Sequence, residues 1–321
     1  MMKKSAKKWL IAAGILTAVG AVMFAAAMTA YHWDFSRLST DRLETNSYEI
    51  KEEFTNIQLN TGTADILFSA SDDKVCRVVC YERENEKHSV SVQNDTLTVS
   101  AVDDRAWYEH IGIFFRSPKV TVYLPKAEYR SLGVAGSTGE VEVPEEFRFD
   151  SADISLSTGG VSLSAAVSGT VRINTSTGDI RVENTSAGAL DLSVSTGGII
   201  VSEVTCSGDM KASVTTGDVK VRNVACRNLI SSGDTGDISL TEVTAAEEFS
   251  IGRSTGDVVF ERSDAAGIAV KTSTGSVTGT LLSEKIFITE SSTGRISVPG
   301  TTTGGTCEIR TTTGDIEIGI S

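Results

Sequence analysis

A Thr-Gly pair returns through the second half of this 321-residue chain with a period that leaves little freedom of fold. Its glycines are Gly139, Gly159, Gly178, Gly197, Gly217, Gly236, Gly256, Gly275, Gly294 and Gly314, each 19 or 20 residues after the last. The second and fourth residues after the glycine are mostly aliphatic, as in Ile180 and Val182 or Val219 and Val221. A second alternating pair stands seven and five residues before it, as in Val171 and Ile173 or Leu190 and Leu192. Alternation of this kind marks half-buried strands. A repeat so short cannot bury its own apolar face, whereas equivalent strands stacked at about 4.8 Å close a continuous interior, one rung per repeat. The period therefore predicts an all-β fold, a single-stranded parallel β-solenoid with 19–20-residue rungs. Ten rungs stacked in sequence order would span about 43 Å. A leucine-rich repeat has a similar period, but its leucine consensus and Asn/Cys column are missing.

Glycine supplies positive φ at a corner without a Cβ penalty. The threonine before it is expected to stack in a column whose hydroxyls hydrogen-bond from rung to rung. On this reading the Thr-Gly pair is scaffold, not active site.

Residues 46–135 are less regular and read as an irregular N-terminal β region capping a regular solenoid at 136–321. Within them "NTGTADILF" echoes the repeat; Gly62 lies 77 residues before Gly139, close to four periods, which suggests degenerate rungs with excursions. The longest excursion gathers Trp107, Tyr108, His110, Phe114 and Phe115. These aromatics either close the end of the core or form an interaction surface.

The chain starts with a basic tail, 1–8, carrying Lys3, Lys4, Lys7 and Lys8. An uncharged apolar run over 9–31 follows, long enough for a transmembrane helix, with Trp9, Tyr31 and Trp33 near its ends. A linker at 32–45 leads to the β region. A cleaved signal peptide is the competing reading, since "AAAMTA" offers small residues, but the apolar run exceeds the usual ~7–15 residues. The expectation is a single-pass cell-membrane protein, N-terminus cytoplasmic, with the bulk of the chain extracytoplasmic. Taking the four lysines from the 29 basic residues leaves 25 against 42 acidic ones. That excess argues against nucleic acid and polyanionic partners.

Chemistry is sparse. His32, His88 and His110 lie outside the regular repeats, none at metal-ligand spacing from a cysteine or acid. No phosphate loop or nucleophile elbow appears, so no catalytic residue and no cofactor is expected. Asp218, Asp237 and Asp257 follow the glycine in successive rungs, about 4.8 Å apart, as calcium or glycan-cleaving carboxylates would need. Turn chemistry is the simpler reading, because Asp favours turns and Gly160, Gly198, Ser276 and Arg295 occupy the same position elsewhere. Cys206 and Cys226 stack in adjacent rungs, compatible with a disulfide. Their column also holds Ala187, Ala245 and Ala265, which favours buried free thiols. Cys76 and Cys80 share a strand face about 13 Å apart, too far to bridge, and Cys307 falls at a core position.

"KVTVYLPKAEYRSLGVAGSTGEVEV", followed by S-T-G-D-[IV]-x-V rungs, resembles the bacterial putative-adhesin family of β-strand-repeat proteins, whose function is unknown. The resemblance covers about residues 46–321 and implies a β-solenoid fold and an envelope location. It carries over no catalytic residue and no cofactor. The combined expectation is a membrane-anchored, non-enzymatic surface module attached through 9–31, binding an envelope protein or glycan. A polysaccharide-active β-helix enzyme and an envelope-stress sensor or scaffold are the rivals; uniform rungs without insertions speak against a catalytic groove.

Overall fold

The computed structural model describes residues 4–30, 32–33, 43–103 and 117–321. Helix α1, Lys4–Ala30, has no acidic residue in its first turn. Its apolar part, Lys8–Ala30, has a mean hydropathy of 2.3 and the length to cross a bilayer. The aromatic cluster Trp107, Tyr108, His110, Phe114 and Phe115 lies outside the described residues, as does Tyr31.

The β region is a parallel solenoid from end to end of its regular part. Thr138, Thr158, Thr177, Thr196, Thr216, Thr235, Thr255 and Thr274 are register partners in successive rungs. Several inward columns run along it, three of which show the repeat pattern. The first gives Val171, Ile173 and the positions above and below them; the second Ile180 and Val182; the third the small residues Ala187, Cys206, Cys226, Ala245 and Ala265, all buried. Phe249 and Phe260 stack inside the core, ring centroids 6.2 Å apart. Each fully buried aliphatic or Phe side chain contributes roughly 1.5–3 kcal/mol, so the columns rather than any local propensity hold the rod together.

The corner glycine answers two demands. All ten repeat glycines have φ between +128° and +156°. In addition, a Cβ on Gly217 would lie 1.9 Å from the carbonyl oxygen of Gly197, and the other corners are equally tight. Rungs are joined here by backbone: Gly217 N–H donates to Thr235 O at 2.8 Å and Gly236 N–H to Thr255 O at 3.0 Å. The expected hydroxyl column is absent among the described hydrogen bonds, because the repeat threonines point into solvent. Hydroxyls three residues before the glycine do the bonding instead. Thr175 donates to Gly159 O at 3.2 Å and Thr311 to Gly275 O at 3.0 Å.

A second corner, six residues after the glycine, is left-handed without glycine. Asn184, Glu203, Asn223, Glu242 and Arg262 all have φ between +48° and +55°. Asn tolerates this region; Glu and Arg do so at a cost of about 1–2 kcal/mol. Ion pairs along the column, such as Arg262 with Glu242 at 3.3 Å, offset part of it.

The rungs do not stack in sequence order at either end. Strand β1 spans Leu43–Ile50, β2 Asn56–Thr61, β3 Asp65–Ala70, β4 Cys76–Arg83, β5 Glu86–Gln93, β6 Thr96–Asp103, β7 Lys119–Leu124, β8 Glu128–Thr138 and β9 Val141–Val143. The rung of β2 and β3 lies directly against that of β8 and β9, with Ile57 opposite Leu132 and Ile66 opposite Val141. Gly62 is thus one rung from Gly139, not four; Ser137 and Thr138 donate to its carbonyl. The later segments β6 and β7 form the next rung outward. Beyond them the pairing turns antiparallel, β5 on β6, β4 on β7 and β1 on β4. At the other end, the last strands of the chain, Gly305–Thr313 and Ile316–Ile320, insert between the Gly275 and Gly294 rungs: Thr313 pairs with both Thr274 and Thr293. The reason is burial. Cys307, Ile309, Ile316 and Ile318 of this last rung are buried, while the Gly294 rung, with Thr289 opposite Ile309 and Ile296 left exposed opposite Ile316, takes the end.

Candidate functional site

Asp218, Asp237 and Asp257 stand on consecutive rungs, as their spacing predicts. Each carboxylate accepts the backbone N–H of the equivalent residue one rung on: Asp218 Oδ1 from Asp237 at 3.0 Å, Asp237 from Asp257 at 2.9 Å, Asp257 from Ser276 at 2.7 Å. Asp179 and Asp315 do the same for Gly198 and Arg295. One oxygen of each side chain therefore belongs to the scaffold. A cation is also built in. Arg253 is 4% exposed, lies across Gly233, which has no Cβ to obstruct it, and donates to Val214 O two rungs away at 3.2 Å. Burial lowers its pKa, and Asp218, Asp234 and Asp237 act against that shift. The guanidinium thus supplies positive charge beside the aspartate ladder.

The densest chemistry lies in the antiparallel end. Cys80 and Glu82 are two apart on β4 and so share its inner face. The β4–β5 turn brings Glu86 opposite Arg83, which carries His88 back over the same face. A Cys80 sulfur, a Glu82 carboxylate oxygen and a His88 ring nitrogen all lie within 4.8 Å of one another. Cys80 and Glu82 are fully buried and His88 is 4% exposed. Glu82 Oε2 accepts from His88 N at 2.6 Å and faces His88 Nδ1 at 2.7 Å, while Oε1 accepts from Asn46 Nδ2 at 2.6 Å. His88 Nε2 is buried with no hydrogen-bond partner among the described residues. Beside the cluster Arg83 and Glu86 form a buried ion pair at 2.6 Å. Burial, reinforced by the charge of Glu82, pushes the Cys80 thiol up to about 12. Sequence spacing set His88 apart from cysteine and acid; the hairpin joins them. Alternation placed Cys80 and Glu82 together, but only the fold of "YERENEKHS" shows which face His88 meets.

A cleft of about 730 Å³ opens beside the inserted rung, lined by Ala245, Asp264, Glu284, Lys285 and Gly305. Of its charges, Lys285 Nζ is already paired with Asp264 Oδ1 at 2.7 Å, and Glu284 accepts from Thr303. The five cysteines are free and buried. Cys206 and Cys226 follow each other in the third column, between Ala187 and Ala245. Burial pushes the Cys226 thiol up to about 12 and raises that of Cys206.

Among solved structures, a protein of Parabacteroides distasonis described as a putative lipid binding protein is similar, at 19% identity and TM-score 0.53, over 75% of this chain and 98% of its own. A putative adhesin of the same organism matches at 15% identity and TM-score 0.46, over 85% and 98%. One of Bacteroides fragilis matches at 15% and 0.42, over 87% and 98%. The first of these likenesses speaks to the fold alone. No protein with a curated description matches. A family model matches residues 54–222 and again 207–321, taking in the permuted front as well as the regular rungs. The chain belongs to the Toastrack DUF4097 family of β-solenoid proteins.

Proposed function

We infer that this chain is a membrane-anchored, non-enzymatic surface module whose solenoid serves as an extracytoplasmic structural or binding face. The observation that carries the reading is the Thr-Gly corner, which stays in register from Thr138 to Thr274 while bulges elsewhere in the rung absorb the differences in length. Rungs of 19 or 20 residues without long insertions leave flat outward columns in which charges neutralise one another, as Arg172 does between Asp153 at 3.8 Å and Asp191 at 3.4 Å. Such a face suits many weak contacts along an elongated partner, a glycan strand or an envelope protein, rather than one enclosed substrate. The carboxylates nearest to a catalytic arrangement, Asp218, Asp237 and Asp257, each use an oxygen to hold the next rung, which supports a scaffold role. The apolar part of α1, preceded by Lys3, Lys4, Lys7 and Lys8, supplies the anchor, and the positive-inside rule favours a solenoid outside the cytoplasm.

Protease added to intact cells tests the topology. Loss of the solenoid with retention of an α1 stub is expected; full protection with the cells intact, followed by digestion after lysis, would refute it. The shaved cells then serve as the control for adhesion to isolated cell-wall glycan, which should fall if the outward face is the contact.

A further inference from the structure

We propose that the back end of the solenoid, its Gly294 rung, is the contact through which a second copy of this chain docks, end to end and related by a two-fold axis. This contact lies on the end of the stack, not on its outward columns. Among the described residues, the Lys285–Thr293 strand pairs only with Gly305–Thr313, and Ile296–Ser297 only with Ile316–Ile320. One edge of each therefore carries backbone N–H and C=O groups with no strand beside them. Water can serve those groups, but not the apolar side chains around them. Ile286, Ile288 and Ile296 are exposed, and Phe287 is half-buried. Phe287 stands opposite Cys307 and Ile296 opposite Ile316, both fully buried one rung deeper. The last rung is thus a cut through the core, with apolar section and strand edges at one level.

An occupant has to present both an edge strand and an apolar section. The front end of a second copy does not fit. Its edge strands β1 and β5 show Glu49, Lys87, Ser89 and Gln93, and setting those charges against isoleucine would bury them unpaired. The back end fits itself. Side chains alternate along Lys285–Thr293, with Phe287 and Thr289 on the inner face and Ile286 and Ile288 on the outer one. A two-fold axis across the rod runs the two strands antiparallel. It keeps inner residues inside when it passes through a residue rather than between two. Through Phe287, it sets Phe287 opposite its own copy and Ile286 opposite Ile288 of the second copy, so that all three apolar residues meet apolar ones. Through Ile288 it would set Ile286 against Glu290, and through Ile286 it would set Ile288 against Glu284. In the Phe287 register the ladder covers Lys285 to Thr289, and Glu284 and Glu290 lie just beyond its ends, where salt screens them. A strand of nine residues spans about 30 Å and two packed walls stand about 10 Å apart. A face of that size stays below the ~1,200 Å² of a standard interface, which makes the dimer weak and reversible, with Kd on the order of micromolar. Each copy carries a net charge of −13, so added salt should tighten the contact.

The experiment is sedimentation equilibrium of the full chain in density-matched detergent, at protein concentrations up to about 100 µM. A reversible monomer–dimer equilibrium that strengthens with salt is expected. Ile288→Lys, at an exposed position that lysine does not unfold, should weaken it by about tenfold or more, while Ser89→Lys at the front edge should leave it unchanged. A monomer throughout the range, or assemblies that grow beyond two copies as a head-to-tail contact would, overturns the proposal. So does a dimer undiminished in Ile288→Lys, which would place the association in α1 or elsewhere. Cysteine crosslinking in membranes reads the register. Phe287→Cys should join to its own copy under mild oxidant, because residues directly opposite in an antiparallel pair stand within disulfide reach. Ser89→Cys should not, and the reverse result overturns the proposal.

Discussion

The two ends of the solenoid solve the same problem differently. Any stack of parallel strands ends in unpaired backbone, which invites association. At the front the chain turns antiparallel, and the strands left at the edge, β1 and β5, show solvent mostly polar side chains such as Glu49, Lys87, Ser89 and Gln93. At the back the pairing stays parallel to the last rung, and Ile286, Ile288 and Ile296 remain 43%, 51% and 42% exposed. There the protection is given to the rung beneath, by sliding the chain's final strands inside. One end is closed by a change of direction, the other by a change of order. Periodicity dictates that rungs stack; it does not dictate their sequence.

The most severe way to break this comparison is to delete Gly305–Ser321. If that rung were the end, the rod would merely shorten; since it lies between two others, removal should cost about 6–10 kcal/mol from four buried side chains, read as loss of cooperative calorimetric unfolding in the C-terminal half. A milder pair of prolines sharpens it. Glu308→Pro falls in a strand paired on both sides and should cost about 3 kcal/mol or more, whereas Ser47→Pro, in an edge strand, should cost under half of that in urea unfolding.

Alkaline titration compares the ends without altering them. Burial pushes both Cys76, at the front, and Cys307, at the back, up to about 12 from 9.0. A raised folded pKa means that the stability is fully present below pH 9 and is lost as pH rises towards 12, at about 1.4 kcal/mol per pH unit for each thiol. Cys76→Ala and Cys307→Ala should flatten the fall in Tm between pH 9 and 11 equally; unequal effects would show one end opening first. Smaller effects test the corners between the ends. Gly217→Ala should cost at least about 1–2 kcal/mol, while Gly252→Ala, with nothing within 4 Å and no positive φ, should leave Tm unchanged or slightly raised. Glu242→Gly should gain about 0.5 kcal/mol at the left-handed corner.

What the sequence disclosed follows from where glycine was needed. The first corner requires both positive φ and a missing Cβ, so every repeat advertises it. The second corner requires only positive φ, and Glu203, Glu242 and Arg262 meet it at a cost; Asn184 and Asn223 were the sole local signal. The order of the end rungs carries no local signature, because Gly314 and Gly294 satisfy the same corner equally well. Only the burial of Cys307, Ile309, Ile316 and Ile318 distinguishes them. The meeting of Cys80, Glu82 and His88 was hidden for a related reason: strand alternation fixes a face, but the partner on that face is set by a hairpin whose turn is charged rather than glycine-rich.

The inserted last rung also bears on how the molecule is made. Synthesis delivers residues 305–321 after the rungs that lie on both sides of them, so a nascent chain holds an open slot where its keystone belongs. Until this stretch arrives, the Gly275 rung keeps an uncovered apolar flank; a product truncated before it keeps that flank permanently. Closure of this end waits on those residues, and a truncated copy announces itself to proteases by its own stickiness.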